Sequence, residues 1–328
     1  MQNKKILITG GAGFIGSLVN KMLDNAGYQT VVIDNLSSGH RDAVVRGEFV
    51  EGDIGSRADL EKIFENHQID AVMHFAASID VGESVHNPEK YFRNNVTNTL
   101  TLLNTMLDYN VKTFVFSSTA AVYGTPIEVP ISEDHPLNPI NPYGESKLMV
   151  EKILHDFNEA YGLKYCSLRY FNAAGGDPDG EIPNRKSSEH NLIPLALRSL
   201  TPGGEKLSVY GSDYHTPDGT CIRDYIHLFD LGTAHILAMK KLLAGGESRI
   251  YNLGNGNGFT VKQVIEAAGK VVGHEIPYEI VGRREGDPEV LVADARKAKE
   301  ELGWEPKYPD LESMVRDARH ALTSWSHT

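Results

Sequence analysis

The chain contains few cysteines and no long hydrophobic run. Its 328 residues include only two cysteines, Cys166 and Cys221, and neither belongs to a metal-binding motif. Two thiols in apparently structured segments indicate buried free cysteines in a reducing cytoplasm rather than a disulfide framework. No segment approaches the roughly 20 apolar residues that span a bilayer, and the basic N-terminal residues lead directly into a glycine loop. We therefore expect a cytoplasmic protein that does not associate with a membrane.

The chain also lacks an excess of positive charge. Its formal net charge of −12 argues against a surface for nucleic acid or for an anionic membrane. The 13 histidines show no metal-type spacing, so the sequence predicts no metal site. A hydrophobic content of 41% is ordinary for a globular protein, and the length fits one large or two medium domains.

Short β-branched runs alternate with helical patterns through the first half of the chain. This alternation predicts a parallel sheet with helices on both faces, the doubly wound α/β (Rossmann) fold. The predicted strands are residues 5–9, 30–34, 48–51, 71–75, 113–117 and 164–169. The predicted helices in this part are residues 13–26, 56–66, 88–109 and 143–161.

The second half is more mixed in pattern. Residues 172–191 are rich in glycine, proline and charge, which predicts a long loop. We place a domain change there, with residues 1–171 as the Rossmann domain and 172–328 as a smaller α/β substrate domain, some of whose elements could pack back on the first. Helices are predicted in this half near residues 191–200, 228–244, 260–272 and 310–324.

A glycine-rich motif follows the first predicted strand. Gly10, Gly13 and Gly16 lie in the stretch Thr-Gly-Gly-Ala-Gly-Phe-Ile-Gly, between that strand and a helix. Such glycines allow a tight turn, a close approach to a pyrophosphate and packing of the helix on the strand. The helix N-terminus then offers free N–H groups to the phosphates. A glycine triplet alone is weak evidence of a nucleotide site. Its position between a strand and a helix predicts a dinucleotide site.

Two aspartates at strand ends are candidates for contacts with the adenosine. Asp34 ends the second strand, about 20 residues past the glycines, where a carboxylate bonds the ribose hydroxyls of NAD and repels the 2′-phosphate of NADP. Asp53 and Ile54 end the third strand, where they could contact the adenine. The alternatives are an ordinary turn aspartate at 34 and a helix-capping aspartate at 53.

Tyr143 and Lys147 lie one helical turn apart and provide the most informative pair in the chain. Residues at i and i+4 meet on a helix surface, although most such tyrosine–lysine pairs are merely solvated. A phenol titrates near 10, and one close positive charge lowers that pKa by roughly 1–3 units. Lys147, reinforced by a cationic nicotinamide, would therefore favour the Tyr143 phenolate. The fifth strand ends in Ser117-Ser118-Thr119, where a hydroxyl could bond a substrate oxygen while Tyr143 accepts its proton.

Together these motifs resemble the extended short-chain dehydrogenase/reductase family and, within it, the UDP-glucose 4-epimerases. The resemblance runs over almost the whole chain. Further motifs that support it are at residues 81–85, 94–96, 146–151, 168–172, 218–227, 251–254 and 283–287.

The resemblance implies roles for individual residues. The implied catalytic residues are Thr119, Tyr143 and Lys147. The implied NAD contacts are Gly10, Gly13, Phe14, Ile15, Gly16, Asp34, Asn35, Asp53, Ile54, Phe75, Ala76, Asn94, Tyr143, Lys147 and Tyr170. The implied UDP-sugar contacts are Thr119, Tyr143, Asn172, Asn191, Leu192, Tyr210, Arg223, Arg284, Asp287 and Leu291.

The implied reaction is an NAD-dependent, reversible 4-epimerisation of UDP-glucose and UDP-galactose. Tyr143 removes the 4-hydroxyl proton, the sugar passes through a 4-keto form, and the cofactor is regenerated in each turnover. Arg223 and Arg284 would neutralise the diphosphate with their forked donors, although each alone reads as a surface ion-pair arginine. The helices at 88–109 and 143–161 pair in dimers of the family, which implies a homodimer.

The sequence departs from the family pattern at two places. Residues 78–80 read Ser-Ile-Asp where many epimerases carry a lysine. Leu291 stands where glucose-only members carry a tyrosine. A smaller side chain there leaves room for a 2-acetamido group, so UDP-N-acetylglucosamine is a further expected substrate. Leu291 could equally be a core residue.

Three alternative functions can be compared with the sequence. Sugar-nucleotide dehydratases carry an Asp-Glu pair where this chain has Ala120 and Ala121, so no acid is available for elimination. A UDP-uronate 4-epimerase or decarboxylase stays open, because the sequence does not reveal what contacts C6 of the sugar. A non-enzymatic NAD-binding regulatory protein would be expected to lose the Tyr143–Lys147 pair.

Overall fold

A seven-stranded parallel sheet forms the centre of the molecule. The computed structural model describes residues 4–184, 191–284 and 287–323. The strands are β1 Lys5–Thr9, β2 Gln29–Asp34, β3 Glu48–Glu51, β4 Ala71–His74, β5 Thr113–Thr119, β6 Lys164–Tyr170, β7 Asn172–Ala174, β8 Leu207–Tyr210, β9 Ile222–Arg223, β10 Tyr225–His227, β11 Arg249–Leu253, β12 Phe259–Thr260, β13 Tyr278–Val281 and β14 Val290–Leu291. The order in the large sheet is β11-β6-β5-β4-β1-β2-β3, and every pair is parallel. The predicted Rossmann fold is therefore confirmed.

Helices cover both faces of this sheet. They are α1 Phe14–Asn25, α2 Arg57–Asn66, α3 Val81–His86, α4 Pro88–Tyr91, α5 Asn98–Asp108, α6 Pro142–Tyr161, α7 Leu192–Arg198, α8 Leu228–Leu243, α9 Val261–Val272, α10 Arg296–Leu302 and α11 Leu311–Thr323. A π-helical segment, Phe92–Thr97, joins α4 to α5, and Arg41–Ala43 and Ala120–Val122 form 3₁₀ turns. None of the described helices is long and apolar enough to cross a membrane.

Alternate residues of the central strands pack into two different cores. Ile6 and Ile8 of β1 are buried against α1 and α8 on one face of the sheet. Leu7, between them, is buried on the other face with residues of α2, α5 and α6. This alternation follows from the two-residue period of a strand, and it explains why these runs are apolar throughout.

All six strands predicted in the first half are present, within one or two residues of the predicted bounds. The seventh, β11, comes from the later part of the chain and pairs with β6 at the edge of the sheet. Helix α8, also from the later part, packs against α1. The division at residue 171 stays a prediction, and two later elements belong to the same sheet and core as the first part.

The remaining strands form small sheets, and the first of these strands, β7, follows directly after β6. Strand β7 pairs with β10, β12 and β14 both pair with β9, and β13 pairs with β8. A third apolar core joins α7, α9 and α11. These elements bring the later part of the chain to the edge of the large sheet where parallel strands end.

Two predicted segments differ from the structure. The helix predicted at 88–109 is helical throughout but changes from α to π and back to α. The long loop predicted at 172–191 begins with the strand β7, and residues 185–190 of it lie outside the described residues, as does residue 324 of the last predicted helix. A π turn inserts one residue per turn, which hydrophobic periodicity does not reveal.

Candidate active site

The glycine loop after β1 is packed so closely that side chains are excluded. Gly10 has φ of +70°, and a Cβ added there would lie 2.5 Å from the backbone nitrogen of Ala76. A Cβ on Gly16 would lie 2.4 Å from the carbonyl oxygen of Gly10. Gly13 is the N-cap of α1 and provides no side chain to satisfy the first N–H groups of the helix. These groups face the end of β1 and fit a pyrophosphate.

This loop lies at the point where the strand order of the sheet reverses. Strand β1 has β2 on one side and β4 on the other. The sheet continues from β2 to β3 in one direction and from β4 to β5 and β6 in the other. Ligands of open α/β sheets bind in the crevice at such a switch point. Phe75 and Ala76 follow β4 at this edge, and Phe14 and Ile15 open α1 across from them.

The predicted adenosine contacts cluster at the ends of β2 and β3. The Asp34 carboxylate accepts hydrogen bonds from Ala12 N, at 3.0 Å, and from Leu36 N, at 2.9 Å. It therefore fixes the glycine loop as well as the turn after β2, and its burial raises its pKa. Asn35 Nδ2 donates to Asp53 Oδ2 at 2.9 Å, which brings these two predicted residues together.

Asp53 does not cap the helix that follows it. The N-cap of α2 is Ser56, whose hydroxyl accepts from Asp59 N. Asp53 Oδ1 instead accepts from Gly55 N at 2.7 Å, within a turn that keeps the carboxylate at the sheet edge. Ile54 is buried in the core beside it. The alternative of a helix-capping role at residue 53 is wrong.

Thr119 and Tyr143 form the hydroxyl pair of the site. Thr119 is the last residue of β5, and its Oγ1 accepts from Ala121 N at 3.1 Å. Tyr143 lies in the first turn of α6, after the N-cap Asn141, whose side chain accepts from Gly144 N. The Thr119 hydroxyl lies close enough to the Tyr143 phenol to lower its pKa. Both residues are at least nine-tenths buried.

Lys147 lies one turn further along α6 and is buried. Its Nζ donates to the carbonyl oxygen of Ser117 at 2.9 Å and stands 4.9 Å from the centre of the Phe116 ring. Burial lowers its pKa to about 7, while the negative charge of Glu151 acts in the opposite direction. The ammonium is therefore held at the strand end, close to its own titration near neutral pH.

The pKa of Tyr143 differs from the sequence-based expectation. Burial raises this pKa above its ordinary value of 10, the neighbouring Tyr170 raises it further, and the hydrogen bond from Thr119 lowers it. The expected lowering by Lys147 is not found, and desolvation of the phenolate is the largest effect on the Tyr143 pKa. Within the protein alone, the phenol is the favoured form at neutral pH.

Tyr170 and Asn94, two further predicted NAD contacts, lie on opposite sides of this pair. Tyr170 ends β6, and its hydroxyl is 2.5 Å from Ser117 Oγ. Asn94, in the π-helical segment, donates to Asn95 Oδ1 at 3.1 Å. Phe75 packs its ring 4.8 Å from that of His235 on α8. These contacts fix side chains around the carboxyl ends of β4, β5 and β6.

The predicted diphosphate arginines stand on the small sheets. Arg223 ends β9, and its guanidinium is 2.5 Å from the Asp287 carboxylate. Arg284 lies over the ring of Tyr210, 4.3 Å from its centre. Asp287 joins the two arginines, because its main-chain N–H also donates to the carbonyl oxygen of Arg284 at 3.2 Å. The structure thus brings the four predicted UDP contacts into one region and gives each arginine a planar or anionic partner.

The remaining predicted substrate contacts flank this region. Asn172 begins β7, and its Nδ2 donates to the carbonyl oxygen of Asp224 at 2.8 Å. Asn191 is the N-cap of α7 and Leu192 its first residue. Leu291 lies opposite Arg223 in the β9–β14 pair and is half-buried beside a small core. Leu291 therefore packs against the core, as the alternative interpretation held, while remaining partly exposed.

Three polar residues at the site were not foreseen as functional. Ser118 Oγ donates to Glu151 Oε1 at 2.6 Å. Asp224 accepts from the backbone N–H groups of Asn255, Gly256 and Ala293. Glu151 follows Lys147 by four residues, and this spacing could have shown that the two share a helix face. The partners of Asp224 are distant in sequence, so no local pattern could have revealed them.

Known proteins share both the sequence and the fold. The model of the NAD dependent epimerase/dehydratase family matches residues 6–254. A UDP-glucose 4-epimerase of Halalkalibacterium halodurans is 53% identical over 313 residues, which cover 95% of this chain and 94% of that protein. The crystal structure of UDP-glucose 4-epimerase from Brucella ovis in complex with NAD superposes with a TM-score of 0.94 at 47% identity, covering 96% of this chain and 97% of that one. The UDP-Glc/GlcNAc 4-epimerase of Campylobacter jejuni is 43% identical, with a TM-score of 0.86 and coverage of 98% and 99%.

Proposed function

Because the chain belongs to the NAD dependent epimerase/dehydratase family, we propose that it interconverts UDP-glucose and UDP-galactose by 4-epimerisation with NAD as its cofactor. The observation that carries this proposal is the 53% identity to a UDP-glucose 4-epimerase over nearly the full length of both chains. Thr119, Tyr143 and Lys147 supply the side chains that such a reaction requires, at the carboxyl end of β5.

In this proposal Tyr143 exchanges the proton of the 4-hydroxyl group of the sugar. The Thr119 hydroxyl lowers the pKa of the phenol and so favours the phenolate. Bound NAD⁺ supplies the two-electron acceptor for C4 and a cation that favours the phenolate. Lys147 adds a second positive charge and, from its place on Ser117 O, a donor for a ribose hydroxyl.

The cofactor is proposed to lie across the switch point of the sheet. The side-chain-free loop at Gly10 and Gly16 and the open N-terminus of α1 fit its pyrophosphate. Asp34 has both carboxylate oxygens at the end of β2, where they suit ribose hydroxyls and repel a 2′-phosphate. This arrangement favours NAD over NADP.

The UDP group is proposed to bind on the small sheets, away from the reacting carbon. Arg223 and Arg284 supply forked donors for the diphosphate, and Asp287 holds the first of them. Firm binding of the remote UDP provides the free energy that positions a loosely held sugar. Asn172, Asn191, Leu192 and Tyr210 are proposed as further contacts.

The test is a turnover experiment on pure protein. Incubation with UDP-galactose, without added NAD, is expected to yield UDP-glucose, detected by coupled oxidation or by chromatography. The assay is then repeated with NAD added, so that loss of cofactor during purification is recognised. No UDP-glucose in either assay would contradict the proposal.

UDP-N-acetylglucosamine is proposed as a second substrate. Leu291 offers less volume than a tyrosine and lies opposite Arg223, and a relative named a UDP-Glc/GlcNAc 4-epimerase shares the fold. Leu291→Tyr is expected to abolish turnover of the N-acetylated sugar and to leave UDP-galactose turnover within about threefold, a small loss compared with loss of a catalytic group. Leu291→Met, which keeps the volume, is the control. No turnover of the N-acetylated sugar by wild-type protein would remove this proposal.

The protein is also proposed to be a homodimer through α4, α5 and α6. Phe92 and Pro88 line a shallow depression on this surface, and the exposed Tyr161 ends α6. Apolar surface residues such as these become buried when helices of two subunits pack together. Light scattering is expected to give twice the chain mass of 36.1 kDa. A particle of single-chain mass at micromolar concentration would refute the dimer.

A further inference from the structure

Three consecutive residues at the end of β5 lie beside three residues of α6, and two of them are hydrogen-bonded to that helix. The Ser117 carbonyl oxygen accepts from Lys147 Nζ, and Ser118 Oγ donates to Glu151 Oε1. Thr119, the next residue of the strand, lies close enough to Tyr143 to affect the pKa of its phenol. The three helix residues are spaced by four, so they form one row along a single face of α6. Two members of this row have a proposed chemical role, and the third, Glu151, has none so far.

Glu151 is a charged residue in the interior. Its side chain is only 3% exposed, and the side chain of its partner Arg169 is 2% exposed. Arg169 Nη2 lies 2.5 Å from Glu151 Oε2, and Arg169 Nε donates to both oxygens. Arg169 stands on β6, directly opposite Ser118 in the β5–β6 pair. The Glu151 carboxylate is therefore fixed by β6, and it in turn holds the neighbouring strand β5 through Ser118.

The arginine is fixed in turn by a longer chain of hydrogen bonds. Arg169 Nη1 donates to Tyr123 Oη at 3.0 Å, and Tyr123 Oη donates to Asn252 Oδ1 at 2.6 Å. Asn252 lies in β11, the edge strand of the sheet. A buried ion pair contributes little net stability compared with apolar residues of similar size. Its value here is geometric, because it leaves Glu151 Oε1 available in one position for Ser118.

We propose that Glu151 is a positioning residue, whose carboxylate holds the end of β5 against α6 and stabilises the Lys147 ammonium beside it. This inference rests on the proposed function, because it takes Thr119, Tyr143 and Lys147 to be the reacting groups. Displacement of the end of β5 would separate the Thr119 hydroxyl from the Tyr143 phenol. Such a displacement of a reacting group affects the chemical step rather than the binding of UDP.

The electrostatic part of the proposal concerns the groups around Lys147. Burial lowers the pKa of Lys147 to about 7, and Glu151 is the group that raises it. His74, on the adjacent β4, is neutral because burial lowers its pKa to about 3. The elements around Lys147 also carry other titratable or charged groups, among them Tyr143 on α6, Tyr91 on α4, and Arg169 and Tyr170 on β6. Removing the Glu151 charge therefore leaves the ammonium without its stabilising anion.

The first test is the variant Glu151→Gln, examined by NMR titration of the purified protein with ¹³C-labelled lysine. Lys147 is assigned from a Lys147→Arg sample. Loss of the negative charge is expected to lower the titration midpoint of Lys147 by about one pH unit. The kcat for UDP-galactose at pH 8 is expected to fall by about tenfold or more, with KM nearly unchanged, because Glu151 does not contact the sugar.

A second variant separates position from charge and does not depend on the first one folding. Ser118→Ala removes the hydrogen bond to Glu151 but keeps the Glu151–Arg169 ion pair. It is expected to lower kcat about tenfold, by the same loss of geometry, while the Lys147 midpoint stays at its wild-type value. The control is Asp230→Asn on α8, a buried carboxylate that accepts from Lys307 N and Tyr308 N, on the helix that covers the opposite face of the sheet from α6. It is expected to lower Tm and to change neither kcat nor the Lys147 midpoint.

The outcomes are distinct. A wild-type Lys147 midpoint in Glu151→Gln would overturn the electrostatic part, and full kcat in Ser118→Ala would overturn the positioning part. If Glu151→Gln does not fold, Ser118→Ala alone decides the positioning part. If wild-type protein does not convert UDP-galactose, the proposed function fails, and the NMR titration still tests the effect of the carboxylate on Lys147.

Discussion

Tyr143 and Lys147 are both buried, and burial shifts their pKa values toward their neutral forms. The pKa of the phenol is raised, and that of the ammonium is lowered to about 7. The i, i+4 spacing in the sequence correctly predicted that the two residues share a helix face. It did not reveal that Lys147 Nζ contacts Ser117 O, because that contact depends on how deeply α6 packs on β5. The desolvation of both groups is a property of the fold and is invisible in the spacing.

Removal of the Tyr143 hydroxyl tests the role of that residue directly. Tyr143→Phe keeps the ring in its buried position but removes the group that exchanges the proton. We expect kcat for UDP-galactose to fall by about 10²–10⁴-fold, the usual contribution of a general base, with little change in Tm.

The matched control for this variant is Tyr161→Phe. Tyr161 is the last residue of the same helix, and its side chain is 53% exposed. Its activity should equal that of wild type. Undiminished turnover by Tyr143→Phe would instead favour a protein that binds NAD without using this phenol.

At the scale of elements, one carboxylate joins the ends of three strands. Asp224 follows β9, and its side chain accepts from Asn255 N, Gly256 N and Ala293 N at 2.9–3.0 Å. These donors lie in the segments that follow β11 and β14. Its main chain also donates to Leu291 O and accepts from Asn172 Nδ2. Asp224 therefore fixes the backbone around Arg223 and beside two other predicted substrate contacts.

The variant Asp224→Asn tests this arrangement with almost no change in volume. An amide has one oxygen, so at least one of the three backbone N–H groups would face an NH₂ group and lose its acceptor. An unsatisfied buried donor costs about 1–3 kcal/mol, so Tm should fall measurably. KM for UDP-galactose should rise about tenfold, and kcat should change less, because binding of UDP is remote from the chemistry.

Asp294→Asn is the control for this prediction. The Asp294 carboxylate contacts Arg296 and the backbone of that residue rather than the strand ends. We expect its KM and Tm to be close to wild type. Equal effects in the two variants would show that the position of the carboxylate is unimportant.

The sequence predicted the long elements well and the short ones poorly. Strands β1 to β6 and the helices α1, α2 and α6 have apolar patterns that are long enough to distinguish a strand from a helix. Strands β9, β12 and β14 have two residues each, which is too few for any period to appear. These short strands carry Arg223 and Leu291, so the substrate side of the site could be assigned only through family resemblance.

At the scale of the whole molecule, the sequence did not indicate that β11 joins the large sheet. The segment Arg-Ile-Tyr-Asn-Leu is a plausible strand, but its pairing with β6 crosses the boundary placed at residue 171. Pairing between strands distant in sequence is decided by packing of α8 on the sheet and not by local pattern. The interior therefore includes residues from both parts of the chain, among them two buried histidines.

These histidines, His74 and His235, make the stability of the molecule dependent on pH. Burial lowers the pKa of His74 to about 3 and that of His235 to about 4, from an ordinary value of 6.5. At pH values between the folded-state pKa of each histidine and 6.5, the unfolded chain binds more protons than the folded protein. Stability should therefore be complete above pH 6.5 and fall as the pH decreases, by up to about 1.4 kcal/mol per pH unit for each histidine.

His235→Phe isolates one of these two contributions. The His235 ring packs beside Phe75 and Tyr170, and its Nε2 has no hydrogen-bond partner among the described residues. A phenyl ring can therefore take its place without loss of a bond at that atom. Without this titration, the loss of stability between pH 6.5 and 4.5 should shrink by about 2 kcal/mol, or about 3 °C in the Tm difference. Calorimetry at the two pH values measures it, with the exposed His215→Phe as control. An unchanged Tm difference in His235→Phe would mean that His235 is protonated in the folded protein at pH 4.5.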